Sequence, residues 1–307
     1  MKAFVEMMFF APKWYHYPWI VLLSPLSLTY GVFMSLRRAL VPKKDFHLPI
    51  ISVGNLIVGG SGKTPFTIAL ASKLEGVTIV SRGYGRQSKG LVEVSDKGKI
   101  LTDVTQSGDE PMLMAASLPK ASVIVSEQRE IGIELAKKRG AKCIILDDGF
   151  NQVQIKKFEI LLEPKEIKNY LPFPAGALRE FWLNRRYADI VAKEGEAFFR
   201  EVTFDNLTSK MVLVTAISNP SRLNQFLPPG VVAKVYLEDH AYFAEEMLQA
   251  LLVKYEAETL LVTEKDAVKM LDFKLPISQM KLKLEIKETI LAQVNAYIKG
   301  YKNESKD

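Results

Sequence analysis

Cysteine and histidine are both scarce in this chain. Cys143 is the only cysteine among 307 residues, so no intrachain disulfide and no cysteine-based metal site can form. A single cysteine is compatible with a reducing compartment, and we expect the body of the protein to be cytosolic. The three histidines are His16, His47 and His240. His240 is therefore the one candidate for histidine-based proton transfer away from the N-terminal region.

The N-terminus lacks a short apolar stretch followed by a small-residue cleavage site, so we expect no removable signal peptide. Residues 18–36 instead form an uncharged run about as long as a membrane span. Aromatic residues lie at one end of this run, and basic residues flank the other end. The aromatic residues are Trp14, Tyr15, Tyr17 and Trp19, and the basic residues are Arg37, Arg38, Lys43 and Lys44. Pro25 and Gly31 weaken the case for a simple spanning helix. Insertion into the membrane interface, a true span and packing in a core all remain open.

The charge balance favours anionic partners. The chain has 41 Lys plus Arg against 35 Asp plus Glu, a net charge of +6. Phosphates, acidic lipid and nucleic acid all fit such a balance, and charge alone does not choose among them. Hydrophobic residues make up 48% of the chain, which suggests apolar surface in addition to a buried core.

From residue 46 onward the pattern is that of an α/β protein, in which short apolar runs alternate with helix-period segments. Such runs predict a mostly parallel sheet flanked by helices. We predict strands at 49–53, 77–80, 122–125, 143–146, 159–162 and 189–192, and helices at 65–74, 110–118 and 129–139. Strands at 211–217, 231–237, 259–263 and 280–286, then a closing helix at 288–299, predict a second, smaller α/β unit.

The predicted division has three parts. Residues 1–45 form a membrane-associating segment, 46–202 a P-loop-type nucleotide-binding domain, and 203–307 the smaller C-terminal domain. The boundary near residue 203 rests on a polar stretch between two sets of apolar runs. The tail at 302–307 is polar enough to predict disorder.

A glycine-rich loop carries the strongest chemical signal. Gly59, Gly60, Ser61, Gly62, Lys63 and Thr64 follow a predicted strand, and Pro65 opens the next helix. In such a loop the backbone amides surround phosphate oxygens, the lysine reaches the outer phosphates and the threonine hydroxyl holds Mg²⁺. The strict motif also has a glycine five residues before the last one, where this chain has Ile57. The context still predicts nucleotide binding.

An acidic pair follows another predicted strand. Asp147 and Asp148 come directly after the run at 143–146. A carboxylate in this position orders Mg²⁺ in P-loop sites, whereas an acidic pair by itself is more often an ordinary turn. The upstream loop favours the metal-binding interpretation.

Further candidates lie at turns. Asp109 precedes a predicted helix, where it is either a helix cap or a carboxylate that takes a proton from an alcohol. His240 is either a surface histidine or a proton carrier. Arginine forks match phosphate oxygens, so an anionic site could be lined by Arg82, Tyr84, Arg179 and Glu180.

Taken together, the strings VGNLIVGGSGKTP, SRGYGR, GDEP, LDDGF, PAGALRE, DH-x-Y and TEKDAVK, in this order, closely resemble the tetraacyldisaccharide 4′-kinase family of lipid A biosynthesis. The resemblance runs from the N-terminal apolar segment to Lys269. It implies transfer of the ATP γ-phosphate, with Mg²⁺, to the 4′-hydroxyl of a lipid-linked disaccharide, giving lipid IVA. It also implies action at the cytoplasmic face of the inner membrane, with no nucleic acid and no obligatory protein partner.

The resemblance also implies residue roles. Lys63 and Thr64 would contact nucleotide and metal, Asp147 and Asp148 would lie near Mg²⁺, and Asp109 with His240 would form the base. Residues lining the substrate site would be Arg82, Tyr84, Glu110, Gln152, Arg179 and Glu180. Members of the family usually have a histidine near Gln152. A glutamine can form hydrogen bonds, but it cannot take up a proton at neutral pH. Their usual proline before the leucine of PAGALRE is Ala177 here, which loosens the turn.

Two other functions stay open from the residues alone. One is a membrane-associated P-loop GTPase, because Thr263, Glu264, Lys265 and Asp266 superficially resemble a guanine-specificity motif. In that motif the lysine stands two residues before the aspartate, where this chain has Glu264. The other is an adaptor that binds nucleotide without chemistry, against which the acidic pair and the potential base argue.

Overall fold

The computed structural model describes residues 2–59, 62–164, 166–217 and 220–304. Contacts divide the chain into two units. The first unit lies within Met1–Thr67, Ile133–Phe199 and Ile286–Asp307, and the second comprises Ile68–Gly132 and Arg200–Glu285. The division at residues 45 and 202 stays a prediction.

The strands of the described residues are named β1 to β13 in chain order. They are Ile50–Gly54, Val77–Ser81, Val92–Asp96, Lys99–Ile100, Ser122–Val125, Cys143–Asp147, Phe158–Glu163, Ile190–Lys193, Phe198–Asp205, Met211–Thr215, Val231–Tyr236, Thr259–Thr263 and Ile277–Ile286. Every predicted strand is present to within a few residues. The short antiparallel pair β3 and β4 and the strand β9 were not predicted.

The helices of the described residues are named α1 to α9. They are Lys2–Phe10, Tyr17–Leu40, Lys63–Ala71, Val104–Ser107, Asp109–Ser117, Arg129–Lys138, Glu245–Lys254, Glu264–Ala267 and Glu288–Glu304. Short 3₁₀ turns lie at Trp14–His16, Trp182–Tyr187 and Pro220–Phe226. The prediction of disorder from residue 302 is wrong for 302–304, because α9 continues to Glu304; residues 305–307 lie outside the described part of the chain.

The first unit contains parallel strands in the order β6-β1-β7-β8. β1 and β6 are buried along their whole length, as expected for the central strands of a parallel sheet. Val53 of β1 lies opposite Asp147 of β6. Parallel strands have their carboxyl ends at one edge, so the chain segments that follow β1 and β6 emerge side by side.

The second unit contains the strand order β4-β3-β5-β2 and most of a sheet with the order β11-β10-β12-β13-β9. β2 and β5 are parallel, whereas β3 runs antiparallel to β5. In the smaller sheet β10, β11, β12 and β13 are parallel, and β10 is buried throughout. Helix α7 covers one face of it, where Leu248 and Leu252 pack with Val212, Val214 and Leu260.

The N-terminal helices pack on the first unit along one side only. Met8 and Phe9 of α1 and Ile20 of α2 form a cluster with Ala175 and Ala177. The backbone amide of Ala175 donates to the Ser27 hydroxyl at 2.8 Å. A Cβ at Gly31 would lie 2.6 Å from the Phe181 ring, so only glycine permits this approach.

The other side of α2 is exposed and apolar. The stretch Trp14–Leu40 is long and apolar enough to cross a membrane, and 17% of its most apolar window is buried. The exposed side chains include Trp14, Trp19, Val21, Leu22, Leu26, Phe33, Leu36 and Leu40. Core packing therefore does not account for this segment. Pro25 lies inside the helix, and interfacial insertion and a true span both stay predictions.

A buried ion pair fixes the end of α2. The Arg38 guanidinium donates to both carboxylate oxygens of Glu180, at 2.6 and 2.8 Å, and to the Phe150 carbonyl at 3.0 Å. Both side chains are almost fully buried. Charges buried in this way depend on each other, because either one alone would be an uncompensated ion in an apolar interior.

We predict that Arg38→Met lowers the free energy of unfolding by about 3–5 kcal/mol, because it leaves Glu180 buried without its partner. Urea unfolding in detergent measures the change. The double variant Arg38→Met/Glu180→Met is the matched control and recovers a large part of the loss, since no unpaired charge remains. A single variant within about 0.5 kcal/mol of the parent would contradict the prediction.

Candidate active site

The glycine-rich loop connects the end of β1 to the start of α3. Gly59 and Gly62 have φ angles of 92° and 80°, which glycine adopts without strain. Gly60 and Ser61 lie outside the described residues, so their predicted phosphate contacts stay predictions. Gly54 is packed so closely that a Cβ there would lie 2.5 Å from that of Phe150. The loop therefore leaves β1 against the segment that follows the acidic pair.

Lys63 is the first residue of α3 and points back across the loop. Its ammonium donates to the Asn55 side-chain oxygen at 3.2 Å and lies 3.6 Å from a carboxylate oxygen of Asp148. Thr64 and Pro65 complete the first turn of the helix and are half-buried. In P-loop enzymes a lysine at this position contacts the outer phosphates of the nucleotide, and the hydroxyl that follows it contacts the metal ion.

The acidic pair stands at the carboxyl end of β6. Asp147 is buried as the last residue of the strand, and Asp148 has a φ angle of 52°. One Arg179 nitrogen contacts both carboxylate oxygens of Asp148, at 3.1 and 3.0 Å. A Cβ at Gly149 would lie 2.6 Å from that of Leu146, so the turn requires glycine. Asp148 thus lies between two cations, Lys63 and Arg179.

This group of residues fits a magnesium ion that is shared with phosphates. Among the described residues no cluster of three or more His, Cys, Asp or Glu side chains could enclose a metal. Magnesium at nucleotide sites needs only one or two carboxylates, because phosphates and water supply the other ligands. Asp147, Asp148 and the Thr64 hydroxyl offer that set of hard oxygen donors.

Asp109 and His240 meet in the second unit. Asp109 opens α5 after Gly108 and is 4% exposed. Both of its carboxylate oxygens lie 3.0 Å from Nδ1 of His240, so the Nδ1–H group donates to the carboxylate. His240 has a φ angle of 63°, and its ring packs against Tyr84 with the centroids 5.2 Å apart. This carboxylate–imidazole pair is an arrangement suited to accepting a proton.

Two lysines also approach the Asp109 carboxylate. The Nζ atoms of Lys265 and Lys269 lie 3.5 and 3.4 Å from its Oδ2 atom. Burial raises the pKa of Asp109, but the hydrogen bond from His240 and the charges of Lys265, His240 and Lys269 outweigh burial and lower the pKa to about 2. Asp109 is therefore ionised at neutral pH.

The residues predicted to line the substrate site have different environments. Arg82 is exposed, and Tyr84 is 67% exposed beside His240. Glu110 lies 3.4 Å from the Lys265 ammonium. Arg179 contacts Asp148, as described above. Their contacts with a substrate stay predictions.

Two of those residues are engaged within the first unit. Glu180 is fully buried and also accepts a hydrogen bond from Asn184, in addition to those from Arg38. The Gln152 side-chain oxygen accepts from Gln154, and its carbonyl accepts from the Lys157 ammonium at 2.7 Å. These contacts fix the loops that bear the two residues, and their predicted substrate contacts stay untested.

Three residues near the two groups were not identified from the sequence: Asn55, Lys265 and Lys269. Lys265 and Lys269 are four residues apart, a spacing that places both on one face of a helical turn. Their segment was interpreted as a possible nucleotide-specificity motif and as part of the family resemblance, and no role was assigned to either lysine.

The low pKa of Asp109 predicts a pH dependence of stability. Because its folded-state pKa of about 2 lies below the usual value of 3.8, the carboxylate stabilises the fold above pH 4 and loses this effect as pH falls toward 2. The full effect is about 2 kcal/mol, and about 1 kcal/mol of it is lost between pH 5 and pH 3. Urea unfolding of Asp109→Asn should therefore show a shallower decline over this interval than the parent. Parallel declines would contradict this assignment.

Comparison with known proteins supports one family. The family model described as tetraacyldisaccharide-1-P 4′-kinase (LpxK) matches residues 19–299. A tetraacyldisaccharide 4′-kinase of Helicobacter acinonychis is 46% identical over 308 positions, which cover 100% of this chain and 98% of that protein. Proteins with the same name from Aliarcobacter butzleri and Campylobacter jejuni are 44% and 42% identical, each over 98% of this chain and 99% and 97% of their own.

A solved structure agrees with these relatives. The crystal structure of LpxK from Aquifex aeolicus in complex with ATP has a TM-score of 0.77 and 30% identity, and the match covers 91% of this chain and 99% of that one. The predicted family, the predicted P-loop α/β fold class and the prediction of a kinase are confirmed. The chain belongs to the tetraacyldisaccharide-1-P 4′-kinase family.

Proposed function

We propose that this protein transfers the γ-phosphoryl group of ATP to the 4′-hydroxyl of tetraacyldisaccharide 1-phosphate, forming lipid IVA. One geometric observation carries the proposal: the loop lysine and the acidic pair meet at one edge of the sheet, with Lys63 3.6 Å from Asp148. A lysine and a carboxylate at adjacent strand ends are what a P-loop enzyme needs to hold a triphosphate and its metal. Membership of a kinase family over the full chain supports the same reaction.

The first unit holds the nucleotide in this proposal. Backbone amides of residues 59–64 surround the phosphates. Lys63 neutralises negative charge on the oxygens of the β and γ phosphates, between which the bond breaks. Magnesium, when bound, supplies further positive charge at these oxygens. Asp147 and Asp148 orient that ion, and Arg179 holds Asp148 in place.

Asp109 and His240 act on the acceptor. A neutral His240 that donates its Nδ1 proton to Asp109 has a free lone pair on Nε2, and the pair together takes the proton of the 4′-hydroxyl. The negative charge of Asp109 stabilises the imidazolium that results. Tyr84 packs against the His240 ring, and Glu110 follows Asp109 in the chain. Together with Arg82, two residues before Tyr84, they are our candidates for contacts with the disaccharide.

The N-terminal helices bring the protein to its lipid substrate. The exposed face of α2 carries large, uncharged apolar side chains. Arg37 lies in the last turn of α2, and Lys43 and Lys44 follow the helix. Such a helix inserts into a bilayer with its basic end near acidic headgroups. We propose that it binds the cytoplasmic face of the inner membrane, where ATP and lipid are both available.

The two other functions lose their support. In a guanine-specific site the aspartate must face the base, but Asp266 is fully buried. It accepts hydrogen bonds from the Thr215 hydroxyl and the Ala216 amide. The adaptor hypothesis does not account for a buried carboxylate–imidazole pair in a family of kinases.

We predict that Lys63→Ala lowers the rate of phosphoryl transfer by about 10³-fold, because the charge on the transferring group loses its main protein cation. Labelled ATP and tetraacyldisaccharide 1-phosphate in mixed micelles provide the assay, and lipid extraction separates the product.

Lys73→Ala is the matched control, since Lys73 is exposed just beyond the end of α3. It should retain the parent rate. Transfer by Lys63→Ala at a rate within threefold of the parent would rule out the assigned role of the loop.

For the membrane, we predict that Leu22→Glu lowers the fraction of protein bound to vesicles of phosphatidylethanolamine and phosphatidylglycerol by about tenfold. Leu22 is 69% exposed on α2, and insertion of one leucine contributes about 1.5–3 kcal/mol. Val253→Glu, on the exposed face of α7, is the control and should bind as the parent does. Equal binding of Leu22→Glu and parent would exclude this face as the membrane contact.

A further inference from the structure

Lys269 is a buried cation to which the proposed reaction assigns no task. Its side chain is 1% exposed. The ammonium lies 3.4 Å from Oδ2 of Asp109 and 3.9 Å from Oδ1 of Asp266, and it donates to the Ala241 carbonyl at 3.1 Å. A lysine is kept charged in such a place only by groups that compensate for its lost hydration. Here the compensating groups are two carboxylates and one backbone carbonyl. One of the carboxylates, Asp109, belongs to the proposed base, and the carbonyl belongs to the residue after His240.

The second carboxylate in this network is held rigidly. Asp266 is fully buried and accepts hydrogen bonds from the Thr215 hydroxyl at 2.6 Å, the Ala216 amide at 3.1 Å and the Thr263 hydroxyl at 2.7 Å. Thr215 ends β10 and Thr263 ends β12. Asp266 is therefore attached to the smaller sheet, and it provides a fixed anchor for the Lys269 ammonium.

From this anchor Lys269 reaches both partners of the base. It contacts Asp109 directly, and it holds the carbonyl of Ala241, the residue after His240. The His240 backbone is in the left-handed region, which is uncommon for a residue with a side chain and persists only where neighbours hold it. One ammonium thus connects the start of α5 to the turn that carries the imidazole.

We propose that Lys269, anchored by Asp266, is a positioning residue that fixes the Asp109 carboxylate against the His240 imidazole. The proposal rests on the proposed function, because it assigns Lys269 to the base of that reaction. Lys269 acts through Asp109 and has no contact with substrate in this role.

Lys265 differs from Lys269 in its environment. It is 20% exposed and lies 3.4 Å from Glu110 as well as 3.5 Å from Asp109. A partly exposed ammonium is screened by water and can change partners, whereas a buried one cannot. Charged and titratable groups from several elements face Asp109 or adjoin the groups that do. Glu110 lies on the same helix as Asp109. Asp239, His240 and Tyr242 follow β11, and Tyr84 packs against the His240 ring. Lys265 and Asp266 belong to α8, and Lys269 lies in the turn after it.

The test substitutes Lys269→Met, which keeps most of the side-chain length and removes the charge. We expect kcat for lipid phosphorylation to fall by about 10–100-fold, because a base displaced by about 1 Å loses its alignment. The KM for ATP should stay within about twofold, since Lys63 and the acidic pair belong to the other unit. The acidic limb of kcat against pH should move to higher pH by about one unit, because the proposed base, the Asp109–His240 pair, loses a neighbouring cation and is protonated more readily.

Three further variants separate positioning from stability. Lys269→Arg restores the charge and should return the acidic limb toward that of the parent even if kcat stays reduced. Asp266→Asn weakens the anchor but keeps the Lys269 charge, and it should lower kcat by a smaller factor than Lys269→Met does while the KM for ATP stays unchanged. Lys274→Met removes an exposed lysine of the same unit and should change neither kcat nor the acidic limb. Thermal unfolding and ATP-binding stoichiometry give the folded fraction by which each rate is divided.

The outcomes separate a failure of this inference from a failure of the proposed function. If Lys269→Met keeps the acidic limb of the parent, and the loss of folded protein accounts for all of its lost rate, Lys269 is structural and the inference is wrong. If Lys269→Met yields no folded protein, Asp266→Asn decides the question, and a kcat per folded molecule equal to that of the parent would make the inference wrong. If the parent itself forms no labelled lipid, the proposed function fails instead.

Discussion

A charge buried in a protein must have an opposite charge beside it, and this constraint organises both units of the molecule. In the first unit the pairs are Arg38 with Glu180 and Lys157 with Glu159, the latter at 2.7 Å. Each cation also donates to a carbonyl of the loop after the acidic pair: Arg38 to Phe150 and Lys157 to Gln152. Such pairs contribute little net stability compared with apolar packing, but they define where a loop lies. Here they define the loop that follows Asp148.

The parallel sheet explains why the nucleotide residues converge. β1 and β6 are adjacent and parallel, so the glycine-rich loop and the acidic pair, which are about ninety residues apart in the chain, leave the sheet at the same edge. Lys63 then needs only the reach of its own side chain to approach Asp148. The proposed proton-accepting pair arises in another way, since Asp109 begins a helix and His240 has a left-handed backbone conformation. The carbonyl of Ala241, the next residue, accepts a hydrogen bond from Lys269.

The sequence predicted those parts of the fold that depend on local pattern. Buried strands such as β1, β6 and β10 are continuous apolar runs, and the glycine-rich loop stands directly between a strand and a helix. β9 was missed because adjacent charged residues, Arg200 and Glu201, interrupt its apolar residues, and its end from Thr203 was taken as part of a polar boundary. The pairing of Asp109 with His240 joins residues 131 positions apart, and only the family resemblance indicated it. The role proposed for Lys269 could not be assigned from the sequence, because it depends on three segments that meet only in the fold.

A series of ion pairs connects helix α2 to the proposed nucleotide site within the first unit. Arg38, near the end of α2, holds Glu180, and the adjacent Arg179 holds Asp148, which lies beside Lys63. Each of these contacts is an ion pair, and the first is buried with two hydrogen bonds, so the chain of contacts has little freedom to lengthen. In the proposed function the acceptor is a lipid and α2 inserts into the bilayer, so the depth of α2 would also set the height of the phosphates. Under that proposal the apolar face of α2 serves the alignment of donor and acceptor as well as membrane binding.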